Sequence, residues 1–135
     1  MVLLQTRRRR RSPLNPIVST PSTDHPSPLA DLLDDASGCV ATGDLDGAAA
    51  LFRDAAALDP ACFDAWHGLG MVLMRSSDLK GALGAAMMAT DLRPNDLLAW
   101  TALSQVYVKM GNIAEAEAAK GNARILSLGG RIKRD

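Results

Sequence analysis

Apolar residues recur three or four positions apart over most of the chain after residue 29, which is the spacing of one face of an α-helix. The clearest series is Trp66, Leu69, Gly70 and Leu73. The pattern predicts one helix from about Cys62 to Arg75 and a second from about Leu79 to Leu92. The polar run Ser76-Ser77-Asp78 separates them, and Asp78 is the expected N-cap of the second helix.

The whole pattern repeats at one fixed interval, the distance from Pro60 to Pro94. The other residues that recur at this interval are Trp66 and Trp100, Leu69 and Leu103, Ala48, Ala82 and Ala116, and Ala55, Ala89 and Ala123. Agreement of so many registers on one period is not a compositional accident, even in an alanine-rich chain. The period predicts three units, which we place at residues 29–62, 63–96 and 97–128.

Short breaks divide each unit into two helices. Gly43-Asp44 and Gly111-Asn112 stand where Ser76-Ser77-Asp78 stands in the middle unit. The repeated prolines close the first two units, since proline cannot continue the preceding helix. Gly70 and Gly81 lie on the two helices of the middle unit, where we expect the missing side chains to let the backbones approach closely.

This arrangement resembles the tetratricopeptide repeat (TPR), a helix-turn-helix unit of the same length. The residues that match the TPR pattern are Phe52, Pro60, Trp66, Leu69, Gly70, Ala82, Ala89, Pro94, Trp100, Leu103, Tyr107 and Ala116. The first unit departs most, with Leu32 in the tryptophan place and Cys39 in the tyrosine place. The resemblance implies an all-α fold, an α-solenoid of three TPR units with six antiparallel helices, in which the first helix of each unit lines a concave groove.

TPR modules bind peptide segments of partner proteins, so the resemblance implies a non-enzymatic adaptor or assembly scaffold. The groove positions carried over to this chain are Asp64, His67, Met71, Met74, Arg75, Thr101, Gln105, Val108 and Lys109. Met71 and Met74 suit an apolar ligand, but packing against the neighbouring helix explains them equally well. Arg75 and Lys109 suit an acidic ligand, and the ligand is either extended or helical.

Some TPR modules hold the acidic C-terminus of heat-shock chaperones with a carboxylate clamp of lysine, asparagine and arginine side chains. The matching positions of this chain are Leu33, Ser37, Gly68, Leu98 and Ala102. None of them supplies a cation, and a carboxylate buried without one is costly to desolvate. We therefore expect no chaperone binding of this kind.

A second function stays open, that of a small TPR chaperone that holds apolar segments of a client, as the chaperones of bacterial secretion systems do. The methionine pair fits this function, whereas a proline-rich leader does not. We expect no enzyme, because the sequence has no nucleophile–base pair, no paired inward acids and no phosphate-binding glycine loop. We also expect no cofactor and no metal, since neither His25 nor His67 has a neighbour at metal-ligand spacing. We interpret His67 as a polar groove residue.

The formal net charge of zero conceals three unequal segments. Residues 1–28 carry a charge of +4, residues 29–128 a charge of −6 and residues 129–135 a charge of +2. The first segment combines the run Arg7–Arg11 with many prolines, a composition that predicts a disordered leader, and the last is a short basic tail. The arginine run gives a weak prediction of nucleic-acid or anionic-surface binding. A solubilising leader or a mistaken translation start is the simpler interpretation.

No apolar run reaches the length of about eighteen residues that a membrane span needs. Two cysteines are too few for a disulfide scaffold, so we expect a cytoplasmic protein. Because TPR units usually have a large buried side chain in the place of Cys39, the resemblance implies a small, buried, inert thiol there. The preference for Asp, Arg and Ala over Glu and Lys is typical of a GC-rich bacterial genome. Ile125, Leu126 and Leu128 form an apolar patch that suits pairing of two copies, so a homodimer is a further prediction.

Overall fold

The computed structural model describes residues 27–132. The predictions for Arg7–Arg11 and for the leader up to residue 26 lie outside the described residues, as do the last three residues of the basic tail. Ser27 caps the start of the first described helix, because its hydroxyl oxygen accepts a hydrogen bond of 3.0 Å from the backbone N–H of Ala30.

Six α-helices account for nearly all of residues 27–132, and no strand occurs among them. They are α1 (Pro28–Thr42), α2 (Leu45–Leu58), α3 (Phe63–Arg75), α4 (Leu79–Leu92), α5 (Leu97–Met110) and α6 (Ile113–Ser127). From α2 onward each helix packs on the next, and α3 also contacts α5. The predicted all-α helical repeat is confirmed. The helix expected at Leu79–Leu92 has those bounds, and the one expected from Cys62 begins one residue later.

The turns inside the units share one backbone conformation. Gly43, Ser77 and Gly111 stand at equivalent positions of the three units and have φ angles of +83°, +70° and +81°. These positive values end one helix and redirect the chain into the next. Ser77 is the only one of these three residues that is not glycine, and its Cβ makes the backbone strained at a positive φ.

Aspartates start the second helices of the first two units. The side chain of Asp44 accepts a hydrogen bond of 2.9 Å from the backbone N–H of Gly47, and that of Asp78 accepts one of 3.1 Å from Gly81. Each carboxylate satisfies a donor that the first turn of a helix leaves unpaired. The predicted N-cap at Asp78 is therefore confirmed.

The repeated tryptophans tie each unit to the one before it. The indole Nε1–H of Trp66 donates a hydrogen bond of 2.8 Å to the carbonyl oxygen of Pro60, and that of Trp100 donates one of 2.7 Å to Pro94. A partly buried indole N–H requires such an acceptor. The tryptophan–proline spacing thus fixes the loop before α3 and before α5.

The core is built mainly from small side chains, which let the helices lie close together. The buried positions of the repeat are Phe52, Leu69, Gly70, Ala82, Ala89, Leu103 and Ala116, and Tyr107 packs partly buried beside them. At Gly70 an added Cβ would meet its nearest neighbours in α4 at 3.5 Å, an ordinary contact. The two nearest atoms belong to the backbones of Ala82 and Ala86, so the backbones of α3 and α4 approach closely at Gly70, as expected, and still leave room for a methyl group.

Gly68 has no such room. A Cβ at this position would lie 2.5 Å from two atoms of the Phe52 ring, so the aromatic ring lies directly over the glycine. At Gly81, the other glycine of the sequence analysis, a Cβ would come within 2.9 Å of the end of the Leu73 side chain. The tightest packing at these glycines is thus against side chains, with Phe52 of α2 over Gly68 and Leu73 of α3 beside Gly81.

Candidate partner-binding groove

Two hollows lie on either side of α3. The larger, here called the C-terminal hollow, has a volume of about 460 Å³ and is lined by Met74, Thr101, Ser104, Gln105, Val108, Lys109, Lys120 and Ala123. The smaller, here called the inter-unit hollow, has a volume of about 270 Å³ and is lined by Ser37, Val40, Phe52, Gly68, Met71, Val72 and Arg75. The walls of both are mostly apolar.

The structure divides the predicted groove residues among three places. Met74, Thr101, Gln105 and Lys109 line the C-terminal hollow, together with Val108. Met71 and Arg75 line the inter-unit hollow. Asp64 is exposed, His67 is partly buried, and neither lines one of these two hollows.

The two methionines differ in burial. Met74 is only 8% exposed and belongs to the hydrophobic core, so it meets the C-terminal hollow at the edge of a packed side chain. Met71 is partly buried against the same core. Val108, which is the equivalent of Met74 in the third unit, is 56% exposed. The accessible apolar surface of the C-terminal hollow therefore comes from Val108 more than from Met74.

His67 packs as an aromatic ring. It stacks on Phe63 with ring centroids 5.3 Å apart and planes inclined by 10°, and its Nδ1 atom is buried without a hydrogen-bond partner. The Arg93 guanidinium lies 4.2 Å from the centre of the Phe63 ring and 3.8 Å from the carboxylate of Asp96. This stack joins the start of α3 to the loop before α5 by dispersion and cation–π attraction.

Sequence reasoning missed the contribution of α6 to the C-terminal hollow. Lys120 and Ala123 lie on that helix, and Ser104 links it to α5, because its hydroxyl donates a hydrogen bond of 3.0 Å to the carbonyl oxygen of Ala116. The equivalence of positions between repeat units could have identified these α6 residues. Lys120 stands in the register of Phe52, which lines the inter-unit hollow.

The hollows carry positive charge although the helical body is acidic. Arg75 and Lys109 are exposed in the last turns of α3 and α5, where cations also interact favourably with the helix dipole. Lys120 adds a third exposed cation beside the C-terminal hollow. No acidic residue lines either hollow. The arrangement suits apolar side chains flanked by carboxylates.

Both cysteines are free and partly buried, not fully buried as expected for Cys39. Loss of hydration raises the pKa of the Cys39 thiol above its usual value, and the nearby carboxylates of Asp44 and Asp35 raise it further. A thiol with a raised pKa holds little of the reactive thiolate at neutral pH, which agrees with the inert thiol that we expect.

Metal and membrane sites are not found in the described part of the chain. Among residues 27–132, no three His, Cys, Asp or Glu side chains gather as a metal ion would require. Within the same residues, no helix has both the length and the apolar character that crossing a membrane requires.

Comparison with models of protein families identifies the family to which the helical repeat belongs. Models of the tetratricopeptide repeat match residues 40–96 and residues 97–119, which together make up more than half of the chain. The chain is a tetratricopeptide repeat protein. Among curated proteins, no sequence matches this TPR chain significantly.

Solved structures share the TPR architecture. MamA from AMB-1 superposes with a TM-score of 0.72 at 24% identity, over 82% of this chain and 61% of MamA. The TPR chain described here thus spans about three fifths of the length of that MamA structure. The Yersinia enterocolitica type III secretion translocator chaperone SycD gives a TM-score of 0.71 at 19% identity, over 75% of this chain and 76% of SycD.

A further similar structure contains a peptide. The second TPR domain of Spaghetti (RPAP3), bound to the HSP90 peptide SRMEEVD, gives a TM-score of 0.69 at 16% identity, over 73% of this chain and 91% of that domain. At such identities the likeness shows the fold alone. It leaves the ligand of the TPR chain to the residues of its own groove.

Proposed function

We propose that this protein is a non-enzymatic adaptor that binds a peptide segment of a partner protein along α3 and α5. The observation that carries the proposal is the pair of apolar hollows on either side of α3, each with a cation among its lining residues. A hollow of mostly apolar walls with a few charged groups is typical of ligand sites. The TPR fold of the chain supports the same general role.

The hollows indicate the chemistry of the peptide. Val108 and Met71 offer partly accessible apolar surface, one in each hollow. Arg75 and Lys109 stand beside them in equivalent positions of consecutive units. We therefore propose a ligand with two apolar anchor residues and at least one carboxylate near them. The groove residues Thr101 and Gln105 supply hydrogen-bonding groups in the C-terminal hollow.

A matched pair of variants tests the groove. Peptides are first selected from a random display library with the full chain, and their affinities are then measured by fluorescence anisotropy. Val108→Glu places a charge in the C-terminal hollow and is expected to weaken binding roughly tenfold. Met87→Glu is the control, because Met87 is 47% exposed on α4 and lines neither hollow.

The outcomes separate the groove from the rest of the surface. Loss of affinity in Val108→Glu with normal affinity in Met87→Glu supports the proposal. Unchanged affinity in Val108→Glu, or an equal loss in both variants, contradicts it. Met74→Glu is unsuited to this experiment, because Met74 is packed in the core and a buried charge would unfold the protein.

The alternative is a small TPR chaperone that holds apolar client segments. The mostly apolar walls of the hollows favour it, and SycD shares the fold. The charge-reversal variant Lys109→Glu distinguishes the two functions. An adaptor for an acidic peptide loses affinity on this change, whereas a chaperone for apolar segments keeps it.

Four narrower points stay predictions. No carboxylate clamp is expected, because Leu33, Ser37, Gly68, Leu98 and Ala102 supply no cation at the clamp positions. The cytoplasmic location and the bacterial source are further predictions. So is a homodimer through Ile125, Leu126 and Leu128, of which Ile125 and Leu128 are exposed and Leu126 is partly buried.

A further inference from the structure

The first and last helices of the repeat present opposite charges on the faces that other helices use for stacking. In the middle of the molecule, α3 packs on α2 and α5 packs on α4. The equivalent face of α1 at one end of the repeat, and the equivalent surface of α5 and α6 at the other, have different residues from those of the packed helices. We propose that copies of this protein stack head to tail, with α1 of one copy on the C-terminal hollow of the next.

The register identifies which positions meet in such a stack. At the first interface, Gly68 of α3 lies under the ring of Phe52 of α2. The equivalent positions at the second interface, one repeat later, are Ala102 and Ala86, and both are buried. The next pair in the series is Lys120 on α6 and, in a second copy, Asp34 on α1. The two interfaces within the chain thus pair glycine with phenylalanine and alanine with alanine, and the proposed interface between copies pairs aspartate with lysine.

The outward face of α1 agrees with this assignment. Val72 of α3 and Val106 of α5 are 2% and 1% exposed, whereas their register equivalent on α1 is the exposed Gly38. Asp34 and Asp35 are exposed on the same helix. The face of α1 that corresponds to the stacking face of α3 and α5 is therefore accessible, small and acidic.

The surface of α5 and α6 is complementary to that face. Val108 is 56% exposed, although its register equivalent Met74 is packed in the core. Lys109 and Lys120 are exposed beside it, and no acidic residue lines the C-terminal hollow. A helix with small and acidic residues would cover the hollow and place a carboxylate near Lys120. The chain itself supplies such a helix in α1.

Stacking of this kind has a recognisable consequence. The two contacting surfaces are different, so each added copy exposes a new free end, and growth does not stop at a dimer. Because α1 of the next copy would occupy the C-terminal hollow, stacking and peptide binding at that hollow exclude each other. The proposal goes beyond peptide binding, and its test needs no peptide.

Charge reversal tests the pairing in the full-length protein by sedimentation velocity over a wide concentration series. The wild-type chain is expected to show a sedimentation coefficient that rises with concentration, without a plateau at the dimer, and that falls on addition of salt. Asp34→Lys alone and Lys120→Asp alone are expected to weaken association by about tenfold or more. An equimolar mixture of the two variants restores opposite charges at the junctions between unlike copies and is expected to associate more strongly than either variant alone.

Three further variants exclude other causes. Asp34→Asn and Lys120→Gln remove the charges without reversing them, and circular dichroism confirms that each variant is folded. Leu128→Ser tests the apolar patch near the C-terminus and is expected to leave stacking unchanged. A wild-type monomer at every concentration, a plateau at the dimer, a mixture no more associated than the single variants or loss of association in Leu128→Ser would each overturn the proposal.

Discussion

Equivalent positions of the second and third repeat units differ in burial: they are packed in the second unit and accessible in the third. In the second unit, Met74, Ala86 and Ala89 are 8%, 3% and 1% exposed, because α5 packs over the unit. Their register equivalents in the third unit are Val108, Lys120 and Ala123, which line an open hollow. The difference teaches that a repeat position acquires its role from the helix packed against it. Three predictions, from the largest expected effect to the smallest, test this comparison.

The largest effect is expected from truncation of the equivalent pair Met74 and Val108. Met74→Ala leaves a cavity in the core and is expected to lower the free energy of unfolding by about 2–5 kcal/mol. Val108→Ala removes exposed methyl groups and is expected to change it by less than about 0.5 kcal/mol. Urea unfolding monitored by circular dichroism measures both. Equal losses would mean that the third-unit surface is covered in solution.

An intermediate effect is expected from the glycines of α3. Gly68→Ala forces a methyl group into the Phe52 ring and is expected to cost about 1–3 kcal/mol. Gly70→Ala meets only ordinary contacts, so the better helix propensity of alanine is expected to stabilise the protein by up to about 1 kcal/mol. Thermal melting of the two variants compares them directly. A stabilised Gly68→Ala would show that the ring does not lie over α3 as described.

The smallest effect is expected in the turn of the second unit. Ser77 has a φ of +70° where the other two units have glycine. Ser77→Gly relieves the left-handed strain and is expected to raise the free energy of unfolding by about 0.5–1 kcal/mol, after the greater entropy of glycine in the unfolded chain is subtracted. The matched control is Ser76→Gly, since Ser76 has a φ of −87° and no strain to relieve. A gain of the same size in the control would contradict this explanation.

Much of the fold was predictable from local pattern. The apolar spacing located α3 and α4 to within one residue, and the Asp78 cap lies where predicted. These features depend on residues within a few positions of one another, which a sequence displays directly. The Phe52 ring over Gly68 was not predicted, because contact with a side chain of another helix depends on how whole helices pack.

The candidate site was less accessible to sequence reasoning. The register indicated α3 and α5 as groove helices, and most of the predicted groove residues line the two hollows. It gave no reason to assign Asp64 and His67 elsewhere, and the stack of His67 on Phe63 became visible only in three dimensions. Lys120 was also not assigned to the groove, since a lysine at a position expected to be packed indicates only that the unit ends there.

The sequence by itself determined the repeat period, and with it the family, the six helices and the tryptophan–proline spacing between units. Each of these depends on short-range spacing and on the hydrogen-bonding needs of nearby groups. The tertiary structure alone decided which equivalent positions are buried and which are open, that Phe52 lies over Gly68, and that a hollow with lysines at its rim forms between α3, α5 and α6. The physical reason is that burial depends on the neighbouring helix, and the last unit has no described helix packed over it.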